Sequence, residues 1–142
     1  MREPENSLLL SRILVATDLS AGAEKAVARA VHLADEHRAA LTILHVLPDA
    51  VGDEASKRQI VLQVEKYLHR KVVKLSPDRE KKVSIQVAAG TASVEIIRRA
   101  GEEAVDIILV GAHGEQFIGK FLFGTTAEKI VRKGDRPVLV VE

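Results

Sequence analysis

An α/β fold with a doubly wound parallel sheet is expected from three features of the 142-residue chain. Short apolar runs without polar alternation recur along it, the pattern of strands buried on both faces. Segments with apolar residues at helical spacing lie between these runs. No linker, repeat or low-complexity tract interrupts the alternation, and crossovers of this length favour right-handed parallel pairing of about five strands. Residues 12–142 are read as one domain, preceded by a short extension over residues 1–11.

The first strand is ILVAT at 13–17, ending at Asp18-Leu19-Ser20. Ser20 can take an orphan N–H of a helix predicted over 21–37. The face of that helix, Ala23, Ala26, Val27, Ala30, Val31 and Ala34, is made of small residues suited to close packing on a sheet. A second strand, LTILHV at 41–46, ends at Pro48-Asp49. Gly52-Asp53-Glu54 opens a longer helix with Ile60, Val61, Val64, Tyr67, Leu68, Val72 and Leu75 on its inner side, stopped by Pro77. VSIQV at 83–87 alternates apolar and polar residues, as an edge or half-wet strand does. After Gly90, Thr91 is set to cap a helix carrying Val94, Ile96, Ile97 and Ala100, closed near 101–104. The strand IILV at 107–110, a short helix at 127–133 and a last strand, PVLVV at 137–141, complete the order.

Composition narrows the function. Hydrophobic residues at 46% and charged residues at 29% are ordinary for a globular protein. A net charge of +1 argues against a dominant nucleic-acid or membrane-surface role, since neither finds a strong single-signed field. The chain has no cysteine, so disulfides and thiol chemistry are excluded. The apolar runs are too short to span a bilayer, the first eleven residues do not read as a secretory signal, and the cytoplasm is the expected compartment. Three of the four aromatics, Phe117, Phe121 and Phe123, lie in one stretch rather than along a basic groove, which is not a base-stacking surface.

That stretch, GAHGEQFIGKFLFGTT at 111–126, carries the chemistry. Strand, glycine-bearing loop and helix start present backbone N–H groups to phosphate, and glycine lets the backbone come close to a ligand. In open α/β sheets ligands bind outside the carboxyl ends of the strands, where strand order reverses. Asp18 follows the first strand and Gly111 ends the fourth, so the two are expected to be neighbours at such a switch point. Either feature alone has a plain structural explanation, a helix cap or a turn. Together, and with Thr125 and Thr126 at a helix start, they point to a site.

A decoy sits inside the stretch. Residues 114–120 satisfy G-x-x-x-x-G-K, but the next residue should be Ser or Thr to hold Mg²⁺ and is Phe121. It is not read as a P-loop. His32, His37, His45, His69 and His113 form no metal-ligand spacing. His45 is read as a satisfied sheet histidine. His113 fits phosphate contact and simple loop polarity equally well. Phe117, Ile118, Phe121 and Leu122 are read as packing a short helix on the body, and Arg79 as part of a solvated charge run reaching Lys82.

These residues resemble the universal stress protein family over nearly the whole chain. ILVATDLSAGAEKAVARA is similar to the family's first strand, Asp and helix, and LTILHV to its second strand. GAHG, nine residues, then GTTAEKIVRKGDRPVLVV is similar to its G-x-x-G, nine residues, G-[S/T] signature and closing strand. The resemblance implies a flavodoxin-like or Rossmann-like sheet in the order 3-2-1-4-5. It also implies the ATP-binding branch, because the branch that does not bind ATP lacks these glycines. By the same resemblance Ala16, Thr17 and Asp18 would line the adenosine side, and Val46 would offer backbone atoms to the adenine edge. Gly111, Gly114, Gly124, Thr125 and Thr126 would hold ribose and phosphates, with Ala112 and His113 between the glycines of the same loop. The ligand would be ATP, ADP or AMP, with Mg²⁺ accompanying the phosphates. One departure is Ala92, where many relatives carry proline; its loss touches helix precision more than binding.

The function implied is a cytoplasmic, nucleotide-dependent stress-response regulator, a homodimer pairing through the edge strand at 138–141. No residue set supplies a general base, an arginine finger and a metal pair together, so an efficient enzyme is not expected. A nucleotide hydrolase or nucleotidyl-transfer enzyme, and a dimerisation module with idle glycines, are the competing readings.

Lys120 separates the two phosphate-loop readings. A P-loop lysine makes a desolvated contact worth about 1.5–3 kcal/mol or more, whereas a solvent-screened attraction is on the order of 1 kcal/mol or less. Lys120→Ala is expected to weaken ATP binding by no more than about fivefold, and Thr125→Val to weaken it more. Calorimetry on both variants in one buffer decides; loss of binding in the first with silence in the second makes the P-loop the real site.

Overall fold

The computed structural model describes residues 9–49, 52–79, 82–112 and 125–142. Strands and helices alternate: β1 (Arg12–Ala16), α1 (Ala21–His37), β2 (Ala40–Leu47), α2 (Glu54–Leu75) and, after a 3-10 turn at Pro77–Arg79, β3 (Val83–Ala89). Then come α3 (Ala92–Glu102), β4 (Ile107–Gly111), α4 (Thr125–Lys133) and β5 (Val138–Val141). The strands pair in parallel in the order β3-β2-β1-β4-β5, the order that the family resemblance implies. Among the described residues no helix is long and apolar enough to cross a membrane.

The central strands lack polar alternation because both sheet faces are covered. Ile13 and Val15 of β1 pack with Leu41, Ile43 and Leu109 under α1 and α2. Their neighbours Leu14 and Ala16 pack with Leu44, Ile108 and Val110 under α3 and α4. Leu14, Val15, Ile43, Leu44 and Leu109 are fully buried, each contributing about 1.5–3 kcal/mol relative to exposure. β3 and β5 are the edges, which explains the polar alternation of β3.

Local chemistry starts the helices as expected, with one exception. The Ser20 hydroxyl accepts the Ala23 N–H at 3.2 Å, and the predicted small-residue face of α1 is wholly buried. Asp53 caps α2, accepting the Ser56 N–H at 2.8 Å. Thr91 occupies the cap position of α3 in extended backbone, but its side chain makes no cap bond. At the other end of the sheet Asp106 accepts the N–H groups of Ser11 and Arg12 at 2.7 and 2.9 Å, joining the start of β1 to the loop before β4. Those two donors hold its carboxyl below the usual range.

Two expectations are corrected. Tyr67 and Leu75 are not on the inner side of α2: they are 37% and 40% exposed at the rim of the α1–α2 groove, where the Tyr67 hydroxyl donates to Glu24. Their positions on the helix fall outside the Val64, Leu68, Val72 stripe that meets the sheet.

Arg79 is not solvated surface charge. After Pro77 ends α2, the 3-10 turn swings Arg79 under the C-terminus of α1, where it is 5% exposed. Its Nε donates to Asp35 Oδ1 at 2.7 Å, and its Nη1 donates to the Ala39 carbonyl at 3.0 Å. Partial burial pushes the Asp35 carboxyl up, but the hydrogen bonds from Arg79 and Ser76 and the nearby Arg79 charge together outweigh it, so the group ionises below its usual range. Arg79→Met is expected to cost about 2 kcal/mol, because a buried carbonyl loses its donor and an ion pair loses its cation. Folded-state depression of the Asp35 pKa means this contribution is present above about pH 4 and is lost as pH falls through the lowered value. Urea unfolding of both proteins at pH 7 and pH 3 checks this: the gap is wide at pH 7 and narrows at pH 3.

Candidate functional site

β1 and β4 lie side by side in register, with Val15 opposite Leu109, while the chain leaves them in opposite directions. This is the strand-order switch of an open α/β sheet. Asp18 therefore emerges beside the end of β4, as the sequence implied. The end of β2 lies on the other side of β1, with Ala16 opposite Leu44, so Val46 reaches the same edge.

The β1 exit is held by a chain of short-range bonds. Thr17 is buried, and its N–H donates to the Leu44 carbonyl at 2.9 Å. Its hydroxyl accepts the Leu19 N–H at 3.0 Å, and Asp18 Oδ1 accepts the Ser20 N–H at 3.0 Å. Leu19 between them has φ 69°, a left-handed conformation uncommon for a branched side chain and held here by the bonds on both sides. Asp18 itself is exposed at the sheet edge. The His45 ring, the satisfied sheet histidine, lies 2.8 Å from the Thr17 carbonyl through Nδ1. A carbonyl only accepts, so Nδ1 carries the proton.

At the end of β4, Gly111 pairs with Val141 and the Ala112 N–H donates to the Val141 carbonyl at 2.8 Å. Ala112 is buried. The φ of Gly111 lies outside the left-handed region, so glycine is needed here for space. A Cβ on Gly111 would stand 3.0 Å from the Gly22 carbonyl oxygen and 3.2 Å from the Ala23 nitrogen, both backbone atoms of the first turn of α1. The signal available in the sequence was Gly22 itself, one residue inside the helix that Ser20 caps. Thr125 and Thr126 open α4, the first exposed and the second half-buried. His113, Gly114 and Gly124 lie outside the described residues, as do Lys120 and the aromatic run at 117–123.

Sheet order and switch point together define a flavodoxin-like α/β protein. The chain belongs to the universal stress protein family, whose family model matches residues 10–142. It is 30% identical to the universal stress protein YxiE of Bacillus subtilis, covering 94% of this chain and 99% of that one. It is 27% identical to the universal stress protein MJ0577 of Methanocaldococcus jannaschii, covering 96% and 97%. The solved MJ0577 structure superimposes with a TM-score of 0.73 over 94% of this chain and 96% of that one. A universal stress protein solved in complex with cAMP superimposes with a TM-score of 0.75 at 20% identity, covering 95% and 98%.

The Gly111 contact yields a prediction separable from any ligand. Gly111→Ala forces the Gly22 turn outward and is expected to destabilise the nucleotide-free protein by about 1–3 kcal/mol. Urea denaturation of the nucleotide-free protein measures it. A glycine present only for ligand approach would leave that value unchanged.

Proposed function

We propose that this chain binds an adenine nucleotide, ATP foremost, as a member of the ATP-binding branch of its family. In this reading it acts in the cytoplasm as a nucleotide-dependent stress-response regulator. The observation that carries the reading is the convergence of Asp18, Val46 and Gly111 on one sheet edge at the strand-order switch. Asp18, Ala16 and Thr17 would line the adenosine side, with Val46 meeting the adenine edge through its backbone. Gly111, Ala112, Thr125 and Thr126 would border ribose and phosphates, with His113, Gly114 and Gly124 completing the loop by sequence. Solved neighbours in complex with cAMP and, from Archaeoglobus fulgidus, with dAMP support an adenine nucleotide as the ligand class. Mg²⁺ would arrive on the phosphates of ATP.

The same reading makes the protein a homodimer. Among the described residues β5 ends the sheet with no strand paired on its outer side, an edge suited to a partner strand, and Leu139 is 37% exposed on it. Regulation rather than rapid turnover fits a site whose described side chains offer a carboxylate and hydroxyls. Slow hydrolysis is compatible with that role.

Native mass spectrometry of the freshly purified protein tests assembly and ligand in one measurement. The expected species is a dimer whose excess mass is an adenine nucleotide. A monomer at every accessible concentration removes the dimer. Absence of nucleotide, with no heat on titrating ATP, removes the binding function.

A further inference from the structure

The end of β1 differs from a strand that simply runs out. In a parallel ladder, alternate residues of a central strand aim both backbone groups at the same neighbour. In β2 the Leu44 carbonyl faces β1, accepting the Thr17 N–H, and the Leu47 carbonyl faces β3, accepting the Gly90 N–H, both at 2.9 Å. Val46, two residues beyond Leu44, therefore turns its N–H and C=O to the β1 side. A straight continuation of β1 would engage both, with the Thr17 carbonyl taking the Val46 N–H and the Leu19 N–H donating to the Val46 carbonyl.

Two side chains take those partners instead. His45 Nδ1 donates to the Thr17 carbonyl at 2.8 Å, and the Thr17 hydroxyl accepts the Leu19 N–H at 3.0 Å. Both side chains are buried, and the chain turns away through Leu19 at φ 69°. The paired register of β1 and β2 accordingly ends at Ala16 and Leu44.

We propose that His45 is a positioning residue of the nucleotide site: by holding the Thr17 carbonyl it ends the β1–β2 ladder and keeps the Val46 backbone pair turned toward the base. This rests on the adenine-nucleotide reading above and adds to it a determinant of base selectivity. An N–H beside a C=O matches the Watson–Crick edge of adenine, an N1 acceptor beside an N6 donor. Guanine presents the reverse, an N1 donor beside an O6 acceptor. Loss of the His45 bond frees the Thr17 carbonyl to rotate, and the Val46 pair then loses its place opposite the base.

Calorimetric affinities for ATP and GTP, measured on the full chain and on His45→Phe, His45→Asn and His45→Gln, test this. The Asn side chain places an N–H where Nδ1 stands; the Gln side chain places one nearer the Nε2 position, and Phe has none. His45→Phe and His45→Gln are expected to weaken ATP binding by about tenfold and GTP binding by less than about twofold. His45→Asn is expected to keep the wild-type ratio. A purely structural histidine would lower thermal stability and leave the ATP to GTP ratio of the folded protein unchanged. Should His45→Phe fail to fold, the Asn and Gln variants, both polar amides, carry the comparison. The inference is overturned if the wild type binds ATP and the Gln variant keeps the ratio, or loses both nucleotides in equal proportion. A wild-type chain that binds neither nucleotide overturns the proposed function, and this inference with it.

Discussion

The first turn of α1 lies directly on the backbone of Gly111, carbonyl against Cα, with no room for a methyl group between them. That contact sets how near the N-terminus of α1 comes to the end of β4 at the strand-order switch. The rest of the sheet edge is arranged around it. The small-residue face of α1 brings the helix down onto β1 and β4, and Ser20 starts the helix at the height where Gly22 meets Gly111. Close helix–strand packing of this kind is a role glycine plays in dinucleotide-binding α/β folds.

From the same turn the chain runs back into β1 through residues that leave little freedom. Thr17, Asp18 and Ser20 each accept a backbone N–H two or three residues ahead. Such bonds compete with the strand ladder and end it. His45 adds a side-chain link from outside the turn, reaching from β2 to the Thr17 carbonyl. The exposed Asp18 thus stands on a rigid support, and a carboxylate so held can act as a recognition group at modest entropic cost.

The opposite edge of the sheet is stapled by charge. Asp106 gathers the N–H groups at the start of β1, and Arg79 ties the chain after α2 to the end of α1 and the start of β2. Both groups work on backbone atoms that the secondary structure leaves unpaired, which is why they matter more than the exposed pairs along α3 and α4. With that end fastened and the core filled on both faces, Asp18, Val46 and Gly111 are held together at the carboxyl edge.

The order of strands and helices, the caps at Ser20 and Asp53, the buried face of α1 and the half-wet character of β3 were legible in the sequence. They follow from periodicity and from neighbours within a turn. The adjacency of Asp18 and Gly111 was legible too, because right-handed crossovers leave few ways to order the strands. What the tertiary structure alone decided depends on partners distant along the chain. Arg79 is buried by an aspartate 44 residues away, and His45 is satisfied by a carbonyl 28 residues away. Tyr67 and Leu75 have apolar character, yet the geometry of α2 on the sheet leaves them at its rim. Gly111 looks in sequence like a ligand-approach glycine, and only the position of α1 reveals the backbone that a Cβ would strike. Local pattern specifies which way each segment faces; which atoms meet there is set by the closing of the sheet.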